Sequence, residues 1–152
     1  GSRIELRSRG RTVGAEVLAI HPDLDLALLR AELPLGAPPL EFAELPPAVG
    51  DPLWVVGYPL GSRGEEDARV ALGRAQLSTH EVVLEVRGEA RLYRELLDTG
   101  APIAEGWSGG PALDGAGRVV GMLALADGRR GKNGAGFALR LEVLREALAD
   151  FE

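Results

Sequence analysis

The stretch that decides how the chain is interpreted is residues 106–111, Gly-Trp-Ser-Gly-Gly-Pro. Glycine lacks a Cβ atom, so Gly106 can adopt backbone angles at which its own N–H and that of Ser108 converge. Two converging N–H donors beside a serine hydroxyl predict a presented nucleophile with an oxyanion hole. The alternative is a glycine-rich surface turn with an incidental serine, because short motifs carry false positives.

The composition limits the classes of protein to which the chain can belong. Its 152 residues suffice for one compact domain or two small lobes, and 21 glycines with 10 prolines favour many short strands over long helices. A net charge of −6 argues against a nucleic-acid partner. The absence of cysteine excludes disulfides, thiolate catalysis and cysteine-based metal sites.

Hydrophobic patterning predicts short strands followed by one terminal helix. The strands are predicted at residues 4–7, 12–20, 26–29, 53–57, 70–79, 82–86, 92–97, 119–125 and 136–139. Residues 33–49 are rich in proline and predict a connecting segment, and residues 98–105 predict a loop leading to Ser108. Apolar residues at helical spacing predict an amphipathic helix over residues 141–151.

A serine at its ordinary pKa is a poor nucleophile, so it needs a base and a group that orients the base. Asp25 is the candidate orienter, because it directly precedes the apolar run 26–29 and would be held rigidly there. Asp23 is the nearer rival. The alternative for Asp25 is a turn aspartate that bonds to its own backbone.

Five blocks of residues, at 23–29, 49–61, 106–111, 117–122 and 136–138, together resemble the trypsin-fold serine proteases, in particular the HtrA/Deg branch. The resemblance implies an all-β fold of two packed antiparallel barrels, the first one incomplete here, with a C-terminal α-helix. It divides a single domain into residues 1–45 for the rest of the first barrel and the connection, 46–140 for the second barrel, and 141–151 for the helix.

The same resemblance implies a serine endopeptidase acting on unfolded or extended polypeptides through an acyl-enzyme at Ser108. It makes Asp25 the triad acid and the N–H groups of Gly106 and Ser108 the oxyanion hole, with no cofactor and no metal. By family resemblance the location is periplasmic or membrane-anchored. Trp107 departs from the Asn or Asp usual at its position, and we expect its side chain to point away from the hydroxyl.

The resemblance also implies a pocket for the substrate residue before the cut. Its walls are assigned to Ala101, Ile103, Ala104, Met122, Leu123 and Leu125. These side chains are apolar and provide no acid to pair with a cation. We therefore expect small or medium aliphatic residues to be preferred over Lys or Arg.

The catalytic base is the main departure from the family pattern. The family's histidine lies roughly thirty residues before the aspartate, whereas 24 residues precede Asp25, so the histidine is expected upstream of Gly1. His21 and His80 are the alternatives, and neither has metal-ligand company. Three interpretations follow: a truncated and inactive endopeptidase, a natural pseudoprotease that binds peptides or proteins, or a barrel with coincidental motifs. Open strand edges would also allow self-association.

Overall fold

The computed structural model describes residues 4–21, 23–32, 38–76, 81–86, 89–94, 96–126 and 135–151. Nearly all regular structure in this part of the chain is β. The strands are β1 (Ile4–Ser8), β2 (Arg11–His21), β3 (Leu26–Ala31), β4 (Pro52–Gly57), β5 (Arg69–Arg74), β6 (Glu81–Val86), β7 (Glu89–Arg94), β8 (Leu96–Pro102), β9 (Pro111–Leu113), β10 (Val119–Ala126) and β11 (Ala135–Arg140). The helix is α1 (Leu141–Asp150), and a single 3-10 turn covers Glu65–Asp67.

The first sheet is antiparallel with the order β1-β2-β3. Ile4 and Leu6 are half-buried while Glu5 between them is exposed, as alternation along a one-sided sheet requires. Strands β1 and β3 are the edges of this sheet. Self-association through these edges stays a prediction.

The second sheet is a nearly closed barrel with the order β5-β4-β9-β10-β11-β8. Its two ends approach each other where the N–H of Gln76 donates to the Asp98 carbonyl at 2.9 Å. A Cβ on Gly73 would collide with the Thr99 carbonyl, so glycine permits this contact between β5 and β8. The barrel core contains fully buried Leu53, Val55, Ala101, Ala112 and Leu123. Strands β6 and β7 form a separate hairpin.

Helix α1 joins the two sheets through a second apolar cluster. Leu144 and Ala147 of the helix pack with Leu26 of β3, Leu96 of β8 and Leu139 of β11. With the half-buried residues of β10 that pack against it, the cluster includes one strand of the first sheet and three strands of the barrel. The turn before β3 and the barrel are held together from the helix side.

The fold class implied by the sequence is confirmed: the chain is mostly β, with one sheet forming a nearly closed barrel and a helix at the C-terminal end. The interpretation of residues 98–105 as a loop is wrong in its first part, because β8 extends to Pro102. Strand β5 ends at Arg74, short of the predicted residue 79, and residues 77–80 lie outside the description. The boundaries at 45 and 140 stay a prediction. Among the described residues, no helix has the length and apolar character that crossing a membrane requires.

Candidate active site

Ser108 lies in a turn between β8 and β9, which we call the serine turn (residues 104–110). The turn is bonded to β10 by the Gly109 N–H donating to the Leu123 carbonyl at 2.7 Å, and by the Leu123 N–H donating to the Gly110 carbonyl at 2.8 Å. The Ser108 hydroxyl is exposed and donates to the Ala124 carbonyl at 3.1 Å. The barrel thus holds the ends of the turn and presents the serine to solvent.

Two backbone N–H groups of the serine turn differ from the N–H of Trp107 between them in having no acceptor among the described residues. The Trp107 N–H donates to the Ala104 carbonyl at 3.4 Å. No acceptor in the described part of the chain bonds to the N–H of Gly106 or of Ser108. Two N–H groups beside the serine hydroxyl are therefore available to an oxygen atom of a ligand.

Gly106 is required by its surroundings as well as by its backbone angle. Its φ is +99°, in the region that favours glycine. A Cβ at this position would lie 2.8 Å from the Tyr58 carbonyl oxygen and closer still to the Leu60 nitrogen. The Leu60 N–H also donates to the Glu105 carbonyl at 2.9 Å, so the segment after β4 fixes this side of the turn.

Asp25 directly precedes β3 of the first sheet and lies at the same cavity as Ser108. It ends the turn before β3 with a φ of +53°, a left-handed conformation that aspartate tolerates better than most residues. Asp25 and Ser108 both line a cavity of about 220 Å³, whose other walls include the apolar side chains of Leu24, Met122 and Leu139. The fold therefore brings together the two residues that the sequence singled out, from positions 83 residues apart.

Neither histidine is described at this cavity. His21 Nε2 lies 3.5 Å from Asp150 Oδ2, and its Nδ1 accepts from the Asp23 N–H at 3.3 Å. Its ring also packs edge-on against Phe151, with ring centroids 6.1 Å apart. His21 is thus bound at the C-terminal end of α1, while His80 lies outside the described residues.

The residues assigned to the substrate pocket divide into three groups. Met122 and Leu123 line the cavity beside Ser108. Ala101 and Ile103 are buried in the barrel core, and Ala104 packs against that core. The side chain of Leu125 lies outside the description. In the described part of the chain, no group of three or more His, Cys, Asp or Glu residues could hold a metal ion.

Sequence reasoning missed three residues around the site. Leu24 and Leu139 line the cavity, and Gly57 lies against the ring of Trp107. The sequence pattern around Leu24 could have indicated its position, because an apolar residue between Asp23 and Asp25 is expected to pack against other apolar residues. Leu139 and Gly57 belong to well-predicted strands, but only the three-dimensional structure brings them to the serine turn.

A nearly closed antiparallel barrel, a second sheet and a serine and an aspartate in one cavity between them define a trypsin-like serine-protease domain. The family model described as trypsin-like peptidase domain matches residues 2–122. The chain belongs to this family, because the match covers well over half of its length.

The structural relatives include HtrA-type proteases. The Rv3671c protease of M. tuberculosis in its active form is 25% identical, with a TM-score of 0.76, over 99% of this chain and 63% of that one. The HtrA-type protease AlgW, solved with a decapeptide, is 26% identical, with a TM-score of 0.75, over 98% of this chain and 44% of that one.

One curated relative has a comparable sequence. The uncharacterized protein y4bJ of Sinorhizobium fredii (strain NBRC 101917 / NGR234) is 32% identical over 123 residues, which are 80% of this chain. The chain spans only 18% of the length of that relative.

Proposed function

We propose that the chain is the serine-bearing part of a serine endopeptidase that cleaves extended polypeptides through an acyl-enzyme at Ser108. The observation that carries the proposal is the shared cavity of Ser108 and Asp25, next to the unbonded N–H groups of the serine turn. Family membership supports the same reaction class. The decapeptide in the AlgW structure supports a peptide as the ligand of such a site.

Each group then has a defined part in the reaction. The Ser108 oxygen attacks the carbonyl carbon of the peptide bond, and its proton passes to a base. The N–H groups of Gly106 and Ser108 stabilise the negative oxygen of the tetrahedral intermediate. The amine leaves with a proton from the base, and water then hydrolyses the ester at Ser108. Asp25 orients the base and stabilises its protonated form.

We propose that the base is a histidine outside these 152 residues, so that the chain alone is nearly inactive. The contacts of His21 with Asp150 and Phe151 support this, because that side chain is engaged at the far end of α1. Without the base of a triad, only the rate due to the oxyanion hole and binding is left.

We propose that small or medium aliphatic residues precede the cleaved bond. Met122 and Leu123 support this, because both are apolar and line the cavity beside Ser108. The residues assigned to the substrate pocket are all apolar and bring no acid to pair with Lys or Arg, and Asp25 of the same cavity is assigned to the base. Efficient cleavage after arginine would contradict this specificity.

The experiment is labelling of Ser108 with a fluorophosphonate, in which the serine oxygen bonds to phosphorus and fluoride leaves. We expect no appreciable labelling of the chain alone. Labelling should appear when the upstream part of the gene is restored, and to a smaller extent with free imidazole as a base. The control base is 1-methylimidazole, which accepts a proton but has no N–H to donate to Asp25. Ser108→Ala controls for labelling elsewhere.

Two results would change the proposal. Strong labelling of the 152-residue chain alone would overturn the missing-base argument and return His21 and His80 to consideration. A restored protein that binds peptides but is never labelled would favour the second candidate, a pseudoprotease that acts as a binding module. The engagement of His21 away from Ser108 is the observation that favours this second candidate.

A further inference from the structure

Trp107 is a feature that the catalytic scheme does not use. It stands directly before Ser108 and is 6% exposed, whereas Glu105, Gly106, Ser108 and Gly109 around it are exposed. Its ring belongs to the barrel core together with residues of β4, β8 and β10. One large buried side chain therefore connects an otherwise exposed, glycine-rich turn to the core.

The ring of Trp107 rests directly on the backbone of Gly57 at the end of β4. A Cβ on Gly57 would lie 2.7 Å from two ring atoms and 2.8 Å from the Trp107 Cβ. Such distances are shorter than any ordinary van der Waals contact, so only glycine allows the ring this position. The backbone of the turn also lies against this segment on both sides of Trp107. A Cβ on Gly110 would collide with the Val56 carbonyl, and a Cβ on Gly106 would collide with the Tyr58 carbonyl.

This contact acts through shape and not through hydrogen bonding. The Trp107 indole Nε1 is buried and has no partner among the described residues. A buried N–H without a partner carries a desolvation cost, so packing of the ring must outweigh that cost. Replacement by phenylalanine removes ring volume without breaking a hydrogen bond that the described residues make.

We propose that Trp107 is a positioning residue, which seats the serine turn on the end of β4 and so sets where the Ser108 hydroxyl and the two free N–H groups lie. The proposal rests on the proposed function for the role of Ser108. The flanking glycines Gly106 and Gly109, with φ of +99° and +89°, give the turn little stiffness of its own. Packing of the Trp107 ring in the barrel core restricts the turn in place of its own backbone.

The chain offers a matched pair of variants for the test, because each of its two tryptophans faces a glycine. Gly57→Ala pushes on the ring of Trp107, whereas Gly115→Ala meets Trp54 at an ordinary distance of 3.8 Å. Neither glycine has a positive φ, so alanine adds contact and no backbone strain. Trp107→Phe is the second variant that perturbs the contact between Trp107 and Gly57. Its control is Trp54→Phe, which changes a ring that is 36% exposed.

Two measurements read out the position of the turn. The first is the fluorophosphonate reaction, with its saturating rate kinact and its half-saturation constant KI determined separately in the restored protein. We expect Gly57→Ala and Trp107→Phe to lower kinact about tenfold at unchanged KI, since small misplacements of a reacting group cost this much or more. The second is amide exchange of the Gly109 N–H, which should become faster in both variants relative to exchange in β4.

The outcomes separate this proposal from the proposed function. If both variants match Gly115→Ala and Trp54→Phe in kinact and in Gly109 exchange, Trp107 does not position the turn. If the parent protein is never labelled, the proposed function fails. The exchange of the Gly109 amide alone then decides whether Trp107 positions the serine turn. A lower amount of labelled protein that matches the loss of folded protein, with the parent's kinact and normal Gly109 exchange in the folded fraction, would also overturn the proposal.

Discussion

Replacing Gly106 by alanine tests the oxyanion geometry most directly. The φ of +99° costs a residue with a Cβ on the order of 1–3 kcal/mol. The new Cβ also meets backbone atoms of Tyr58 and Leu60, which cannot rotate away as a side chain would. Overpacking of this kind costs about 1–3 kcal/mol, so we expect Gly106→Ala to lower the free energy of unfolding by roughly 2–6 kcal/mol.

Two other glycines separate the sources of this loss. Gly117 has a φ of +77° and Gly109 has a φ of +89°, and a Cβ at either position would meet nothing within 4 Å. Alanine at these positions therefore tests strain alone, about 1–2 kcal/mol. Gly117 lies between β9 and β10 and does not line the cavity of Ser108, whereas Gly109 is the neighbour of Ser108 and does. The pair thus controls for strain away from the site and beside it.

The first assay is urea unfolding of the three variants. The second is the rate of fluorophosphonate labelling of Ser108, measured without urea in the restored protein, under conditions where each variant is folded. In folded Gly106→Ala we expect labelling to fall by about 10²–10³, the loss typical of one displaced oxyanion donor. Equal stability losses in Gly106→Ala and Gly117→Ala would refute the crowding argument. Unchanged labelling of folded Gly106→Ala would refute the assignment of its N–H to the oxyanion hole.

Two further predictions concern the framework of the site. Thr99 is fully buried, with its hydroxyl donating to the Gly136 carbonyl at 2.8 Å and accepting from the Ala101 N–H at 3.3 Å. Thr99→Val should lower the free energy of unfolding by about 1–3 kcal/mol because these groups lose their partner, and Thr99→Ser should retain most of it, as urea unfolding will measure. The backbone N–H of Arg63, and after it that of Gly64, lowers the pKa of Asp67 below its ordinary value of 3.8. The ionised Asp67 carboxylate therefore stabilises the folded state fully above the ordinary pKa, and this contribution is lost as the pH falls through the lowered pKa. Thermal unfolding at about pH 6 and pH 3 should show a smaller effect of pH in Asp67→Asn than in the parent.

The parts of the molecule that the sequence predicted are those in which local pattern and tertiary packing agree. The helix was predicted over 141–151 and covers Leu141–Asp150, because the apolar spacing that forms the helix also docks it. The glycines around Ser108 and the apolar run after Asp25 single out these two residues, and the fold brings them to one cavity. In both cases a local rule and the global fold require the same residues.

The failures occur where packing overrides local preference. Residues 98–102 contain aspartate, glycine and proline, which favour turns, yet they form the last five of the seven residues of β8. Burial of Thr99 and the closure of the barrel against β5 hold this segment extended. The contact of Gly57 with Trp107 was likewise beyond sequence reasoning, because neither residue carries a local signal of its partner.

Helix α1 has a consequence for how the site tolerates change. Asp25 is followed by Leu26, whose side chain packs on the same apolar cluster as Leu144 and Ala147. The separation of Asp25 from Ser108 is therefore set partly by the thickness of the layer between the helix and the sheets. A larger side chain at position 147 would press on this cluster, to which Leu139 of the cavity wall also belongs. It would thus change the separation of Asp25 from Ser108 although no residue of the cavity is replaced.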